Sequence, residues 1–394
     1  MPSSSTSSSS SPPSLSNQTH TASYNILRVM GVFHLTVLIV FLAVTSAVTA
    51  CTPSDKAALL AFKSSLNEPY LSIFDSWTGD KCCENWYGVG CDPTTQRVTD
   101  ISLRGESEDP ILVKAGRPGY MTGSINPAIC QLDHLSTLII ADWKGISGEL
   151  PGCITSIAPL HILDVVGNQI SGGIPANIGN LQKLAILNLA DNVISGPIPD
   201  SLVQLSNLKH LDLTNNQLSG KIPVDFGKLK MLSRALLSRN KLTGTIPSSI
   251  GNMYRLADLD LSMNQIWGSI PDVLGKMKVL STLKLDCNKL SGQIPDALLS
   301  NTGMGILNLS RNALEGHIPD VFGSKSYFMV LDLSYNNLKG PIPGSLSSSV
   351  YIGHLDLSHN HLCGPIPIGS PFDQFESSSF DNNDCLCGNP LKTC

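Results

Sequence analysis

Apolar residues alternate with polar ones in a fixed pattern along most of the chain. From Leu160 onward the sequence fits L-x-x-L-x-L-x-x-N-x-L-x-G-x-I-P in an unbroken register of 24 residues. The L-x-x-L-x-L portion alternates as a strand does, which places the leucines inward and the intervening residues outward. One such strand cannot bury its own apolar side, so successive coils are expected to stack and share a continuous core.

Nine asparagines mark this register: Asn168, Asn192, Asn216, Asn240, Asn264, Asn288, Asn312, Asn336 and Asn360. Each is predicted to lie where the chain turns off its strand. Because an amide side chain both donates and accepts, stacked asparagines can satisfy backbone groups that the turn would otherwise leave buried and unpaired. This asparagine ladder is therefore interpreted as structural.

Two less regular coils precede the series, which gives about eleven repeats over residues 98–367. The first coil opens at Val98 and is interrupted by an insertion, 104–122; the second contains ADWKGISGELP, with one extra residue and no asparagine at the turn. At a strand spacing of roughly 4.8 Å the strand ladder would be on the order of 50 Å long. The pattern predicts an α/β repeat solenoid with a parallel sheet on the concave face and 3₁₀ or irregular structure on the convex side.

The N-terminal 50 residues are interpreted as a leader with a Ser-rich start and an apolar segment at 31–46. The run LTVLIVFLAV has signal-peptide length, and Val48-Thr49-Ala50 offers a cleavage site before Cys51. Secretion is the favoured interpretation, with no integral membrane segment expected after the leader is removed. A Ser/Thr-rich start without acids also fits a plastid transit peptide, so a plastid location is the alternative, and either Met1 or Met30 is the working start.

Composition narrows the function classes. The net charge of −5 is spread without blocks of one sign, which argues against a nucleic-acid partner. Eleven cysteines, most of them clustered in Cys-rich caps at 51–97 and 368–394, indicate an oxidising compartment. In the first cap, Asp55 is expected to N-cap a helix that buries Leu59, Phe62 and Leu66.

The cap and tail spacings, Cys51…Cys82-Cys83…Cys91 and Cys363…Cys385, Cys387…Cys394, together with the L-x-G-x-I-P repeats, resemble plant polygalacturonase-inhibiting proteins and plant receptor-kinase ectodomains. The resemblance implies a plant-type leucine-rich-repeat right-handed superhelix with disulfide-stapled caps. It also implies the bridges Cys51–Cys82, Cys83–Cys91, Cys363–Cys385 and Cys387–Cys394. Cys130 and Cys153 lie on neighbouring coils and are paired on that ground, which leaves Cys287 as a semi-buried thiol.

A closer resemblance covers essentially the whole mature chain. LRGESEDPILVKAGRPGYMTGSI, ADWKGISGELP and YIGHLDLSHNHLCGPIP are similar to plant leucine-rich-repeat proteins of the DNA-damage-repair/toleration 100-like type. A role in DNA repair is not inferred from it, because the sequence contains no Walker A motif, basic face or metal-nuclease carboxylate cluster.

Outward positions of the concave face are the expected binding surface. LDLSxN is the commonest sequence of the repeat, so residues that depart from it are the better candidates for ligand contact. Asp260 is included as a central acid. The candidate binding residues are Arg234, Leu236, Arg239, Asp260, Lys284, Asp286 and Tyr335. Arg234, Arg239, Lys241 and Lys284 suggest a basic patch at the middle coils. The 104–122 insertion is either a functional loop or a disordered decoration.

No catalytic residue, cofactor or metal site is expected. Asp332 and Asp356 fall on adjacent strands, but repetition of one residue in neighbouring coils gives that spacing automatically, without the asymmetry that a glycosidase pair needs. His354, His359 and His361 flank a strand and a turn and point different ways, which argues against a metal site. Asn308-Leu309-Ser310 is a glycosylation sequon on the concave strand.

The sequence therefore predicts a secreted, non-catalytic binding protein of the plant cell wall. Its expected partner is a protein, such as a cell-wall enzyme or a receptor, and a polysaccharide is possible. Inhibition of pectin-degrading enzymes is the sharpest form of this hypothesis, and a role in stress or defence is the broader one. The alternatives are a plastid-located stress or DNA-damage-tolerance factor and an ice- or surface-binding protein, although the concave face lacks a repeated Thr array.

Overall fold

The computed structural model describes residues 51–106 and 108–394; the predicted leader and both candidate start codons lie outside the described residues. Eleven parallel strands, one per coil, lie side by side in one sheet, as the repeat predicts, and β2 pairs antiparallel with the first of them. The twelve strands are β2 Val89–Cys91, β3 Val98–Arg104, β5 Thr137–Ala141, β7 Ile162–Asp164, β9 Ile186–Asn188, β11 His210–Asp212, β13 Arg234–Leu236, β15 Asp258–Asp260, β17 Thr282–Lys284, β19 Ile306–Asn308, β21 Tyr327–Asp332 and β23 Tyr351–Asp356.

A second series of short strands follows the turn of each coil, in groups of four, three and six strands. This series was not predicted: the x-L-x-G segment after each ladder asparagine pairs with the same segment of the next coil. The strands are β1 Leu66–Asn67, β4 Met121–Ser124, β6 Lys144–Glu149, β8 Gln169–Ser171, β10 Ser195–Pro197, β12 Gln217–Lys221, β14 Lys241–Thr243, β16 Trp267–Gly268, β18 Lys289–Gly292, β20 Ala313–Gly316, β22 Asn337–Gly340, β24 His361–Pro365 and β25 Cys385–Cys387.

Short helices complete the coils, which confirms the predicted 3₁₀ structure. The 3₁₀ helices are Ile73–Ser76, Pro127–Gln131, Gly152–Ser156, Ile178–Asn180, Asp200–Gln204, Phe226–Lys228, Ser248–Asn252, Asp272–Lys276, Gly344–Ser348, Phe372–Gln374 and Ser377–Ser379. The α-helices are α1 Pro53–Ser64, α2 Cys82–Asn85, α3 Pro110–Ala115 and α4 Asp296–Leu299. Among the helices that the structure describes, none is long and apolar enough to cross a membrane.

The asparagine ladder closes each coil against the next. Asn216 donates from Nδ2 to the carbonyl of Leu189 (2.8 Å) and accepts at Oδ1 from the amide of Ile194 (2.9 Å), both in the preceding coil. The same two bonds recur at every ladder position from Asn192 to Asn360. The predicted structural role is therefore confirmed, because these bonds pair backbone groups that lie in the apolar interior.

The ladder continues beyond its predicted ends. In the second coil Trp143 occupies the ladder position and is fully buried, with its indole N–H donating to the carbonyl of Leu103 (3.0 Å). In the C-terminal cap Asn383 donates to the carbonyl of Leu357 and accepts from the amide of Leu362. Sequence reasoning missed both, since an indole does not match the repeat and Asn383 follows Asn360 by 23 residues instead of 24.

The irregular second coil leaves a defect in the ladder. Asn168 donates to the carbonyl of Ile140 (2.8 Å), but its Oδ1 is buried without a hydrogen-bond partner among the described residues. The equivalent amide of the second coil, that of Ile146, does not donate to it. Asn168 is therefore the ladder member with half of the usual pairing.

The N-terminal cap differs from prediction in its helix start. Thr52, and not Asp55, is the N-cap of α1: its side chain accepts from the amide of Asp55. Asp55 is fully buried and accepts two bonds from Arg97, both 2.9 Å, and one from the amide of Val98. Because a buried carboxylate needs such partners, Asp55 joins α1 to the first coil instead of capping the helix.

Five disulfides have the predicted pairings: Cys51–Cys82, Cys83–Cys91, Cys130–Cys153, Cys363–Cys385 and Cys387–Cys394. Cys287 is the free cysteine of the described chain. The bridges staple the two caps and join the first coil to the second. In the C-terminal cap β25 also extends the second series of strands by pairing with β24.

Candidate functional site

The long sheet presents one face of regularly spaced side chains, here called the strand face. Its central row is formed by Asp164, Asn188, Asp212, Leu236, Asp260, Lys284, Asn308, Asp332 and Asp356, which are in register on adjacent strands. The apolar residues on either side of each central residue point into the core and are buried. The predicted alternation therefore places this row on the outer side of the sheet, where its members are partly exposed except for the buried Asp164.

Most acids of the central row are tied to their own turns. Oδ1 of Asp260 accepts from the amide of Ser262 (2.9 Å) and from its hydroxyl (2.6 Å). Asp212, Asp332 and Asp356 accept the equivalent amide two residues on, and so do the amides Asn188 and Asn308. The repeated Asp or Asn thus caps the strand end as an Asx turn, which explains why LDLS recurs. This local role applies to Asp260, a candidate binding residue.

Leu236 and Lys284 depart from this arrangement, because neither side chain can accept the amide. Arg234, which precedes Leu236 by two residues, pairs with Asp258 (3.1 Å) on the adjacent strand. Asp286 lies beyond Lys284 and is half-buried, and burial raises the pKa of its carboxyl. These positions interrupt the regular Asx row at two middle coils, as the sequence departures suggest.

The basic patch expected at the middle coils is not contiguous. Lys241 lies in β14 beyond the turn, where Nζ contacts Oε1 of Gln217 (3.1 Å). Arg239 lies in the turn itself with a φ of 54°, and Arg234 is neutralised by Asp258. Of the four predicted basic residues, Arg234 and Lys284 thus lie on the strand face, Arg239 in the turn and Lys241 in the second series of strands.

A second row runs along the turns, one residue before each ladder position, and is here called the turn row. Its members adopt left-handed backbone conformations: Asp142, Gly167, Asp191, Asn215, Arg239, Met263, Cys287, Arg311, Tyr335, His359 and Asn382. Three neighbouring side chains of the later coils stack on one another. The guanidinium of Arg311 lies 3.9 Å from the ring centroid of Tyr335, whose ring stacks on His359 at 3.8 Å. Candidate residue Tyr335 is thus part of a continuous column at the edge of the strand face.

Cys287 belongs to the same turn row and is partly exposed. Burial is the main cause that raises the pKa of its thiol, and the neighbouring carboxylate of Asp286 adds to the effect. A raised pKa keeps the sulfur protonated at neutral pH, which is the opposite of what an activated nucleophile requires. The environment therefore agrees with the interpretation of a semi-buried thiol.

The histidines near the C-terminus have separate partners. Nε2 of His359 contacts the amide of Asn382 (3.1 Å), and Nδ1 of His361 contacts Asp384 (3.0 Å). His354 lies on the strand face in β23. Within the described chain, the group of side chains close enough to hold a metal is Cys51, Cys82 and Cys83, and these sulfurs are engaged in disulfides.

The 104–122 insertion is folded against the N-terminal cap, so the disordered alternative is wrong for its described residues. Asp109 caps helix α3 by accepting from the amide of Ile111, and Leu112 is buried. The hydroxyl of Tyr87 contacts Asp109 (2.9 Å), and burial together with this contact raises the pKa of Tyr87 to about 12. An open cleft of about 400 Å³ lies between α3 and the start of the insertion at Gly105, and Val113 and Arg117 form part of its lining.

Comparisons with known proteins agree with this geometry. The family model "Leucine rich repeat N-terminal domain" matches residues 52–92. Models described as "Leucine rich repeat" match residues 158–218 and 302–362, and further repeat matches cover 232–253 and 255–277. The chain is a plant leucine-rich-repeat protein.

Similar proteins include polygalacturonase inhibitors and a protein named for DNA-damage repair or toleration. The DNA damage-repair/toleration protein DRT100 of Arabidopsis thaliana is 62% identical over 133 residues, covering 34% of this chain and 36% of that protein. A polygalacturonase inhibitor of Vitis vinifera is 33% identical over 113 residues, 29% of each chain. The aligned stretches therefore span about a third of the length of these relatives.

Solved structures share the fold over a larger part of the chain. A plant ice-binding protein is 29% identical with a TM-score of 0.67, covering 88% of this chain and 98% of that chain. The Arabidopsis receptor kinase HAESA, in complex with a peptide hormone and a co-receptor, is 28% identical with a TM-score of 0.65, covering 84% and 58%. The solenoid with stapled ends is thus the fold of plant extracellular-type leucine-rich-repeat proteins.

Proposed function

We propose that this chain is a secreted, non-catalytic binding protein of the plant cell wall that recognises a protein partner through the strand face. The observation that carries the proposal is the strand face itself, an exposed surface whose side chains are held in register by the ladder and by the Asx turns. Such a scaffold positions side chains without needing to move, which favours recognition. The relatives named as inhibitors and receptors support the same class.

Occlusion of a pectin-degrading enzyme is the specific form that we test first. The mature chain would be added at micromolar concentration to a fungal endo-polygalacturonase, and release of reducing ends from polygalacturonic acid would be measured. We expect the oxidised chain, with its disulfides intact, to slow the release of reducing ends. This inhibition should be lost after the disulfides are reduced. Unchanged release would exclude the inhibitor form and leave recognition of another protein.

Location is tested separately from binding. Residues 1–60 fused to a fluorescent reporter are expected to direct it to the cell wall through the endomembrane system. Fluorescence in chloroplasts would instead support the alternative, a plastid-located stress or DNA-damage-tolerance factor. The five disulfides favour the secretory route, since they form and persist in oxidising compartments.

We also propose glycosylation of Asn308, in which case a partner cannot lie flat across the coil of β19 and must bind on other coils of the strand face. Its Oδ1 accepts from the amide and hydroxyl of Ser310, whereas Nδ2, the atom that would carry a glycan, has no hydrogen-bond partner in the described chain. The folded turn is therefore compatible with a glycan. Peptide mass analysis of the secreted protein, before and after removal of N-glycans, tests this assignment.

A further inference from the structure

The strand face changes character at its last two coils. In the long sheet the strands from β7 to β19 have three residues each, whereas β21 and β23 have six, and the extra residues extend the paired surface toward the start of each strand. Tyr327 lies opposite Tyr351 in this extension, and Phe328 lies opposite Ile352. The sheet is therefore wider here than in the middle coils.

The added surface is apolar and exposed. Tyr327, Met329 and Tyr351 are 44%, 49% and 46% exposed, while Phe328 and Ile352 between them are fully buried. The alternation of the strand fixes the first three outward, because a shift by one residue would expose the buried pair. We call Tyr327, Met329 and Tyr351 the aromatic patch.

The side chains of the two tyrosines are ordered by packing within the chain itself. Their ring centroids are 5.2 Å apart with an interplanar angle of 23°. The Tyr351 ring lies along its own strand over Gly353, where an added Cβ would be 3.0 Å from the tyrosine hydroxyl. Ordered Tyr and Met side chains on an exposed surface are typical of the centre of a protein interface.

Negative charge accompanies the patch on both strands. Asp332 and Asp356 are the charged residues of β21 and β23, and neither strand contains lysine or arginine. Each carboxylate is oriented by its Asx-turn bond, 3.0 Å at Asp332 and 2.9 Å at Asp356. A surface of aromatic rings and oriented carboxylates is complementary to a cationic side chain, and it disfavours a polyanion such as pectin.

We infer that the partner binds at these last two coils through a peptide segment that combines an apolar residue with a lysine or arginine. The apolar residue would pack on the aromatic patch, and the cation would pair with Asp332 or Asp356. This inference rests on the proposed function and places its main contact away from the middle coils, where the sequence had suggested Arg234 and Arg239.

The test uses the whole mature chain, oxidised and immobilised, and a phage-displayed library of random dodecapeptides as the probe. We expect enrichment of peptides in which an aromatic or large aliphatic residue lies near Lys or Arg. Capture of the enriched peptides should fall at least about tenfold in the Tyr327→Ser/Tyr351→Ser variant. Tyr254→Ser is the matched control, because Tyr254 is 61% exposed but lies outside the strand face, and it should capture as the wild type does. All chains are produced in bacteria, because this substitution creates a glycosylation sequon at Asn252.

A second variant isolates the charge. Asp332→Asn/Asp356→Asn keeps an acceptor for the turn amide, as Asn308 does one coil earlier (3.0 Å), and should therefore fold normally. It is produced in bacteria, as is the wild type, because both substitutions create an Asn-Leu-Ser sequon that a plant secretory pathway could glycosylate. It should lose the preference for basic peptides and the weakening of capture by added salt. Unchanged melting temperatures of both variants would show that the losses arise at the surface.

Three results would overturn the inference. Peptides whose capture survives Tyr327→Ser/Tyr351→Ser but is lost in Arg234→Glu/Arg239→Glu would place the site at the middle coils, with the proposed function intact. Enrichment of acidic peptides, or of none, would show that the patch does not select a cationic segment, while the pectinase assay still decides the proposed function. Calorimetric binding of cellohexaose that depends on the two tyrosines would identify a carbohydrate site instead.

Discussion

Replacing two different ladder asparagines by alanine separates the contribution of the bonds that the side chain donates from that of the bond that it accepts. In Asn216→Ala the amide of Ile194 loses its partner completely, and the carbonyl of Leu189 keeps only the longer bond from Asn192 (3.2 Å). In Asn168→Ala only donor bonds are lost, because Oδ1 of Asn168 has no partner to begin with. Both side chains are buried, so the loss of packing is common to the two variants.

The expected difference follows from these contacts. An orphaned buried amide costs roughly 1–3 kcal/mol and a weakened bond about 1 kcal/mol, so Asn216→Ala should lower the free energy of unfolding by about 3 kcal/mol. Asn168→Ala should lower it by about 1 kcal/mol, the donor part alone. The net difference of about 2 kcal/mol is attributed to the acceptor half of the ladder.

Urea unfolding of the oxidised variants, followed by circular dichroism, measures both values, and amide hydrogen exchange at Ile194 reports the local opening. Asn207→Ala is the control for an exposed cross-coil bond, since Asn207 donates to the carbonyl of Gln182 at the surface (2.7 Å). It should change stability by less than about 1 kcal/mol. Equal losses in Asn216→Ala and Asn168→Ala, with Ile194 still protected, would refute the account of the ladder.

Three further predictions concern the cap, the free thiol and the strand face. Asp55→Asn removes the buried charge that pairs with Arg97 and should lower the free energy of unfolding in urea by about 3–5 kcal/mol. Two separate transitions in urea would show instead that the cap unfolds independently of the repeats. Cys287, whose thiol pKa is raised by burial and by Asp286, should add one iodoacetamide more slowly at pH 8 than free cysteine does; an equal or faster rate by intact mass would contradict this environment. Burial lowers the pKa of His210, so the unfolded chain binds a proton at this residue more readily than the folded chain does, and stability should fall as the pH drops through about 6.5. The melting temperature of His210→Asn should fall less than that of the wild type over this range. Identical dependence of the two melting temperatures on pH would contradict the assigned role of His210.

The repeat made most of the fold predictable. A period of 24 residues with a fixed asparagine determines which leucines face inward, so the eleven strands and the roles of residues such as Asn216 follow from the sequence. The second series of strands was less visible, because its segments are two to six residues long and most of them contain glycine, which weakens strand propensity. Trp143 was missed because its role depends on one N–H reaching Leu103, a contact with no sequence signature.

The candidate site was predictable only as a surface. The positions of Leu236 and Lys284 on the strand face follow from the alternation, but the pairing of Arg234 with Asp258 requires neighbouring coils to be in register. Tyr327 lies before the repeat motif of its coil, where the pattern assigns no strand, so the aromatic patch could not be placed on the sheet. Its exposure became apparent only from the lengthened strands.

The direction of the ladder gives the molecule a polarity along its length. Each asparagine reaches back, so the backbone of one coil is completed by a side chain that the ribosome adds one coil later. A chain synthesised from its N-terminus can therefore complete the hydrogen bonds of its coils in order, and each coil is completed only after the following coil has been synthesised. Asn383 supplies the equivalent bonds to the last coil, so the backbone of that coil is completed only once the C-terminal segment has been synthesised.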